Sequence, residues 1–429
     1  MSMRLVNGSR VGIVGGGPSG SFAALHLLQF AKQQKLQLEV LIFEPRDFTR
    51  PGPGGCNRCA GILSAHLQDG LSKLGLSLPN EVIQAELNAY TAVIGGETVQ
   101  FEQPEPERRI VSVYRGGGPR LVQGKPVASF DSFLLSQACT WGAQHINKRV
   151  RQITRQDKPI IHTAWESFPI DLLVLATGVN SRAPVDESFR YRPPKTEVMA
   201  QDEFIRPPGW PRDQVQIYFR QPPGLIFGAL IPKGDYLNIS LLGFGLPTDA
   251  VSSFLDAQNL SGQLQPSGSL CGCSPRISVS TAGHFFGNQW VSVGDAAVTR
   301  LYKDGIGSAL KTARIAMQTA IEEGVSIHSF RNRYAPFCRE IAIDNIYGHL
   351  LFRIWAVVLH SHASLEIWKR MIQKEMYQSY PNRIHTRILW GMLTGEDRYK
   401  DLFRMFTSLP SFRNILHSLL PEKQRQPLA

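Results

Sequence analysis

Cysteine is scarce in this chain: Cys56, Cys59, Cys139, Cys271, Cys273 and Cys338 are the only six in 429 residues. That is too few for a disulfide scaffold at this length and fits a reducing compartment. No run of about 18 uncharged apolar residues occurs, so nothing reads as a membrane span. The N-terminus reaches its first apolar strand within ten residues, without an apolar signal core followed by a small-residue cleavage site. The expected location is therefore the cytoplasm. Internal repeats, low-complexity tracts, a nucleic-acid reading module and the nucleophile turn of serine hydrolases are also missing. What remains is a composition, 43% hydrophobic and 9% aromatic, that suits a globular enzyme of one to three domains with a sizeable core.

The stretch Val11-Gly12-Ile13-Val14-Gly15-Gly16-Gly17-Pro18-Ser19-Gly20 is a β-branched run entering a glycine turn. A helix is predicted from Ser19 to about Gln34, then a second strand, Val40-Leu41-Ile42-Phe43, ending in Glu44. This is a βαβ unit with a dinucleotide fingerprint. Gly15 permits the tight turn, Gly17 lets the backbone approach a pyrophosphate, and Gly20 lets helix and strand pack closely. Pro18 sets the first turn, and the exposed N–H groups at Ser19 and Gly20 open a helix whose dipole favours an anion. Glu44 is placed to accept from ribose hydroxyls, with Pro45 and Arg46 beside it.

Further along, Pro45 to Gly61 is a Pro/Gly-rich loop too long for a simple turn, of the kind that carries function. Residues 129–141 read as a helix, and 169–178 as a buried strand ending at Gly178. Val215–Phe219, Leu225–Ile231 and Tyr236–Leu242 are extended runs broken by Pro222-Pro223-Gly224 and Pro232-Lys233-Gly234, which suggests an antiparallel sheet inserted into the first domain. Gln289–Asp295 returns to the parallel-strand idiom, a glycine-punctuated helix follows from Gly305 to Glu323, and helical periodicity dominates from Ser326 onward.

Gly294-Asp295-Ala296-Ala297 with Gly305-Ile306-Gly307 is the second constellation. A strand ending in Gly-Asp presents a carboxylate at the sheet edge to the sugar-like part of a cofactor, and the helix opened by Gly305 and Gly307 offers N–H groups to a flavin ring. Its position long after the first glycine turn favours FAD over NAD. A second glycine fingerprint for NADPH is absent, so the electrons are expected from transient NADPH docking or from a ferredoxin-like donor protein.

These pieces resemble the flavoprotein superfamily of aromatic hydroxylases, halogenases and geranylgeranyl reductases, and the geranylgeranyl reductase family most of all. Cys59-Ala60-Gly61-Ile62-Leu63-Ser64 is similar to that family's Cys-Gly segment beside the flavin, Phe130-Asp131-Ser132-Phe133-Leu134 to its Phe-Asp helix start, and Pro232-Lys233-Gly234-Asp235 to its Pro-Lys-Gly-Asp turn. The resemblance implies an FAD enzyme that reduces carbon–carbon double bonds of prenyl chains by hydride delivery from reduced flavin. Two departures stand out. Phe227 and Ala229 occupy the positions of a family Tyr and Trp on the substrate-facing strand, which reshapes the chamber and counts against halogenation. Val127 stands where an arginine often precedes the Phe-Asp start, leaving Arg46, Lys125 or Arg120 to take its contact. Monooxygenation of an aromatic substrate and a maturation role on a partner protein are the alternatives.

The resemblance also places Cys56, Cys59, Cys271 and Cys273 in segments that border the flavin. They admit a zinc or iron–sulfur site, a redox dithiol or, as the favoured reading, plain packing. Metal is therefore not expected. His66, just after the cysteine loop, is a candidate proton donor with Cys59 nearby; His385 and its neighbours read as satisfied or solvated. Residues 331–429 hold 15 Lys or Arg against 8 Asp or Glu, +7 of the formal +11. This basic, aromatic-rich quarter suits either peripheral contact with an anionic membrane or a lipid substrate, or an ordinary solvated face; nucleic acid is not expected.

The expected fold class is α/β: a Rossmann-like FAD-binding domain over 1–185 and 276–325, an antiparallel β-sheet substrate domain over 186–275 joined by segments around 80–125, and a C-terminal helical cap over 326–429.

Overall fold

A computed structural model describes residues 3–56, 60–94, 97–103, 105, 107–121, 127–219, 224–379 and 382–419. The chain is mixed α/β and divides into two compact units. The first comprises Met1–Ile83, Val113–Val198 and Cys273–Ile343; the second comprises Gln84–Ser112, Met199–Gly272 and Asp344–Ala429. The first boundary after the mid-chain strand falls later than the sequence suggests. Thr196–Val198 pairs antiparallel with Arg276–Ser278, and that ladder ties residues up to 198 to the first unit. The helices from Asp344 onward belong with the second sheet rather than forming a compact unit of their own.

The first unit is built on a six-stranded sheet in the order Phe286–Gly287, Trp290–Ser292, Leu172–Leu175, Arg10–Val14, Glu39–Phe43, Gln144–Ile146. All neighbours are parallel except the Phe286–Gly287 hairpin at one edge. The central strands are apolar at nearly every position because both sheet faces are covered. Ile153, Ile161, Ile170, Phe189 and Trp290 pack with Val14, Leu41, Phe43, Leu173 and Leu175 in one core cluster.

The glycine-turn helix, Pro18–Gln33, starts as anticipated. Gly17 is its N-cap and Pro18, with its φ already fixed, occupies the first turn. Lys35 in the left-handed region (φ 56°) follows its end. The helix packs on Gly305–Glu322 and Phe130–Thr140.

In the second unit the sheet order is Ala200–Ile205, Tyr236–Gly243, Leu225–Lys233, Gln214–Tyr218, Ala89–Ile94, Glu97–Glu102. It is antiparallel, as its period-two pattern suggests, with one exception: Gln214–Tyr218 runs parallel to Ala89–Ile94. One sheet face carries Phe204, Tyr218, Leu230, Leu237, Ile239 and Leu241 under the helix bearing Phe254. The Phe254 ring lies over Gly228, where a Cβ would stand 2.7 Å from it.

The run Ile327–His360 is helical, as the periodicity beyond Ser326 suggests. By length and composition alone it is apolar enough to cross a membrane. Asp344 and Arg353 interrupt its apolar sequence, so it holds no uncharged run of about 18 residues. Only 28% of its most apolar stretch is buried, and Ile346 and Val357 are exposed.

Burial makes one histidine acid-sensitive. His26 sits inside the glycine-turn helix, stacked on Phe30 at 5.9 Å. Burial, helped by the Arg314 charge, lowers its pKa from 6.5 to about 4. The native state therefore disfavours the imidazolium, and stability falls as pH drops from 6.5 toward 4, by up to about 3 kcal/mol. Urea midpoints measured between about pH 7 and pH 4.5 are expected to show this loss, and His26→Leu to flatten it.

Candidate functional site

The site is assembled where the carboxyl ends of the first unit's central strands meet two helix starts. Gly15 has φ 106°, and a Cβ there would stand 2.4 Å from the Ala176 carbonyl oxygen. The turn thus lies directly against the end of Leu172–Leu175. At Gly20 a Cβ would reach 1.8 Å from the Gly15 carbonyl oxygen, which only glycine avoids. The Gly16 N–H donates to Glu44 Oε2 at 3.0 Å, fixing the carboxylate beside the turn. Glu44 also accepts from the Arg46 N–H at 3.0 Å and from its guanidinium at 3.1 Å, while Arg46 lies over Phe48, 5.3 Å from the ring centroid. Glu44 is buried, Arg46 half-buried and Pro45 exposed.

The second constellation joins the first. Gly294 is left-handed (φ 61°), and a Cβ on it would meet Ser19 Oγ at 2.0 Å, so the Gly294-Asp295 turn is pressed onto the start of the glycine-turn helix. Gly305 lies next: its Cβ position is 3.7 Å from Asp295 Oδ1 and from Thr299 Oγ1. Gly15, Gly17, Pro18, Ser19, Gly20, Glu44, Arg46, Gly178, Gly294, Asp295 and Gly305 therefore form one grouping from four chain segments.

Gly307 follows two residues after Gly305 at the start of the same helix. The Asp304 carboxylate lies against it, 2.1 Å from where a Cβ would be, and the buried Ile306 contributes packing. Gly178 (φ 63°) faces open space, and beside it the Thr177 Oγ1 is buried with no hydrogen-bond partner among the described residues. An orphaned hydroxyl at the mouth of a glycine-lined cradle is what a site shaped for a further polar group leaves behind.

Electrostatics sharpen the picture. Burial pushes the Asp295 carboxyl above its ordinary pKa, while the Arg115 charge and the Thr299 side chain pull it back. Arg115 also grips Asp131 with a two-pronged ion pair of 2.5 and 2.9 Å, almost entirely buried. Arg115 is the residue that sequence reasoning missed. The family position lies three residues before the Phe130-Asp131 start, whereas the guanidinium arrives from 16 residues before Asp131. Arg46 is engaged by Glu44, Arg120 is exposed and Lys125 lies outside the described residues.

The long loop after Glu44 is held by a second overlooked feature, the run Gly116-Gly117-Gly118. A Cβ on Gly117 would stand 2.0 Å from the Thr49 carbonyl oxygen and one on Gly116 2.8 Å from the Cys56 nitrogen. Backbone hydrogen bonds from Gly52 to Gly118 and from Gly117 to Arg50, at 2.8 and 3.1 Å, tie the strands of the loop together. Of the cysteine segment that follows, Cys59 lies outside the described residues. Ala60 is half-buried and Gly61 buried (φ 71°), its carbonyl accepting from Val113. His66 is exposed at the start of Ala65–Lys73, while Leu67 and Leu71 face inward. Cys56 and Cys273 are half-buried thiols of the first unit. Among the described residues no cluster of three or more His, Cys, Asp or Glu is arranged to hold a metal.

In the second unit Phe227 and Ala229 are both buried and share the sheet face opposite Phe254. On the same face a row of buried polar side chains is linked end to end. Gln201 donates to Ser240 at 2.7 Å, Ser240 to Asn238 at 2.6 Å and Asn238 to Glu203 at 2.8 Å, and Lys233 Nζ lies 3.7 Å from Glu203. On the other face, Asp202 accepts from the backbone N–H groups of Cys271 and Gly272 at 3.0 and 2.9 Å. Cys271 is thus placed by a carboxylate anchor.

No protein-family profile matches this chain, and no curated protein matches it. Solved structures do. A geranylgeranyl bacteriochlorophyll reductase-like protein from Thermoplasma acidophilum is 17% identical with a TM-score of 0.59, over 89% of this chain and 98% of that one. The flavin-dependent halogenase CmlS is 16% identical with a TM-score of 0.63, over 94% and 77%. HpxO from Klebsiella pneumoniae, solved in complex with FAD, is 16% identical with a TM-score of 0.57, over 92% and 99%. At these identities the likeness is one of fold: the chain has the fold of FAD-dependent oxidoreductases.

The contact between Gly294 and Ser19 is open to a direct test. Gly294→Ala is expected to lower stability by about 2 kcal/mol or more, through both its left-handed φ and the clash. Ser19→Ala in the same chain should restore part of that in a denaturant titration, because the nearest atom is Ser19 Oγ.

Proposed function

We propose that this chain binds FAD and is an oxidoreductase that reduces carbon–carbon double bonds of an apolar, prenyl-type substrate. The observation that carries the reading is the seating of Gly294-Asp295 on Ser19, which joins two motifs far apart in sequence into one cradle. The residues fit the cofactor. The N–H groups opening the Pro18–Gln33 helix suit a pyrophosphate, and Glu44, already held by Gly16, suits ribose hydroxyls. Asp295 suits the sugar-like chain, the unpartnered Thr177 hydroxyl a further polar atom, and the start of Gly305–Glu322 the electron-rich end of a flavin ring.

When bound, FAD supplies the hydride chemistry. The protein's part is to hold and orient. Arg115 keeps Asp131 paired and biases Asp295 toward its charged form against the cost of burial. Phe227 and Ala229 are the proposed substrate wall, with Ala229 leaving room where a larger residue would intrude. His66 or the segment around Cys59 is the proposed proton source, and NADPH or a ferredoxin-like protein the proposed electron donor. The fold shared with a reductase-like protein supports this reading. The fold shared with a halogenase and with 2-methyl-3-hydroxypyridine-5-carboxylic acid oxygenase supports a second, oxygen-using one on an aromatic ring.

Purified protein is expected to show the absorption bands of bound flavin, or to acquire them on addition of FAD; a chain that never takes up flavin overturns the proposal. Anaerobically reduced protein should be reoxidised by a geranylgeranyl substrate, whereas oxygen uptake stimulated by an aromatic compound would establish the second reading. Asp295→Asn gives a two-sided prediction. A carboxyl with a raised native pKa costs stability when ionised, so at neutral pH the variant without flavin should melt no lower than the parent, while its FAD affinity falls at least about tenfold. Scanning calorimetry and flavin fluorescence titration measure the two separately.

A further inference from the structure

The helix Leu409–Leu419 in the second unit is built inside out. Its inward face is small and polar: Ser411 and Ser418 are buried, and Ser411 Oγ lies 3.2 Å from His385 Nε2. His385 Nδ1 in turn meets Glu375 Oε1 at 2.8 Å, and the second Glu375 oxygen accepts from the Thr386 N–H and hydroxyl at 2.8 and 2.9 Å. The serine, imidazole and carboxylate have the connectivity of a hydrolytic triad, but Ser411 is wholly buried. They serve as a polar latch that holds the helix down.

The outward face is apolar. Leu409 is 87% exposed, Phe412 59%, Leu416 61% and Leu419 56%. Their spacing places all four on one stripe of the helix. An isolated exposed leucine is ordinary, but a stripe of four large apolar groups, with the polar residues turned inward, marks a contact surface.

Charge identifies the partner. Residues 398–419 carry Arg398, Lys400, Arg404 and Arg413 against the single acid Asp401. Asp401 is 3.7 Å from Arg404 with both side chains well exposed, so it neutralises little. Arg413 stands exposed at the edge of the apolar stripe. Two copies of this face would bring like charges together. At 11 residues the helix is about 16 Å long, too short to span a bilayer and suited to lying in its surface. We propose that Leu409–Leu419 docks the protein on an anionic lipid surface, with Phe412, Leu416 and Leu419 inserted and Arg413 among the headgroups.

These residues lie outside the proposed flavin cradle, so the test can succeed or fail whatever binds there. The full chain is sedimented with vesicles of phosphatidylcholine containing about 30% phosphatidylserine, and with pure phosphatidylcholine. Binding is expected on the anionic vesicles, at least tenfold weaker on the neutral ones, and reduced by raising NaCl from about 50 to about 300 mM. Phe412→Glu with Leu416→Glu, and separately Arg413→Glu, should each lower partitioning at least about tenfold with the melting midpoint unchanged. Should the paired variant melt early, Phe412→Ser carries the same prediction. Failure to bind either vesicle, equal binding by parent and variants, or light scattering showing a dimer that the variants dissociate would each overturn the proposal.

Discussion

The architecture of the first unit depends on backbone meeting backbone where no side chain can stand. Two such approaches lie in series, Gly15 against Ala176 and Gly20 against Gly15, and a third contact seats Gly294 against the Ser19 side chain. Each is shorter than any Cβ tolerates, and together they fix the relative height of two strand ends and two helix starts. Hydrogen bonds then lock what sterics has allowed. The Gly16 N–H to Glu44 bond is the clearest, because it settles the orientation of an acid that faces the same cradle. Glycines at such points are not flexible residues; they are the absence of obstacles.

Much of this was legible in the sequence because it is local. Strand, glycine turn, helix, strand and acid follow one another within about 35 residues, and a hydrophobic period with a glycine fingerprint reports them directly. The join between Gly294 and Ser19 was legible only as chemistry, from two motifs that each suit the same ligand. Arg115 was invisible to that approach. Its bond to Asp131 crosses a loop, and neither residue sits at a spacing that pattern can register. The Gly116–Gly118 run matches no motif, since what it packs against, Thr49 to Cys56, has no period of its own. The long helix ending at His360 was legible as a helix, but its apolar length is masked by the charged residues Asp344 and Arg353 within it.

The second unit's sheet has two buried faces of different character. Its Phe254 face is an apolar core of ordinary kind. Its other face interleaves Phe227, Ala229 and Ile231 with the row Gln201, Ser240, Asn238, Glu203 and Lys233, all buried. A buried ammonium and carboxylate rarely add stability over apolar replacements, but a connected polar row fixes side-chain geometry on a wall that apolar contacts alone would leave adaptable. The extended runs Leu225–Ile231 and Tyr236–Leu242 suggested the sheet, yet nothing in them shows that these polar residues are bonded in a row.

The tether between Gly116–Gly118 and the Thr49–Cys56 loop has an evolutionary reading. Because main-chain atoms make it, the loop's side chains contribute little to its path. The exposed Arg50 side chain is therefore free to diverge in size and polarity while the ribbon beneath it stays put, whereas the buried Phe48 and the closely packed Gly52 and Gly55 are not.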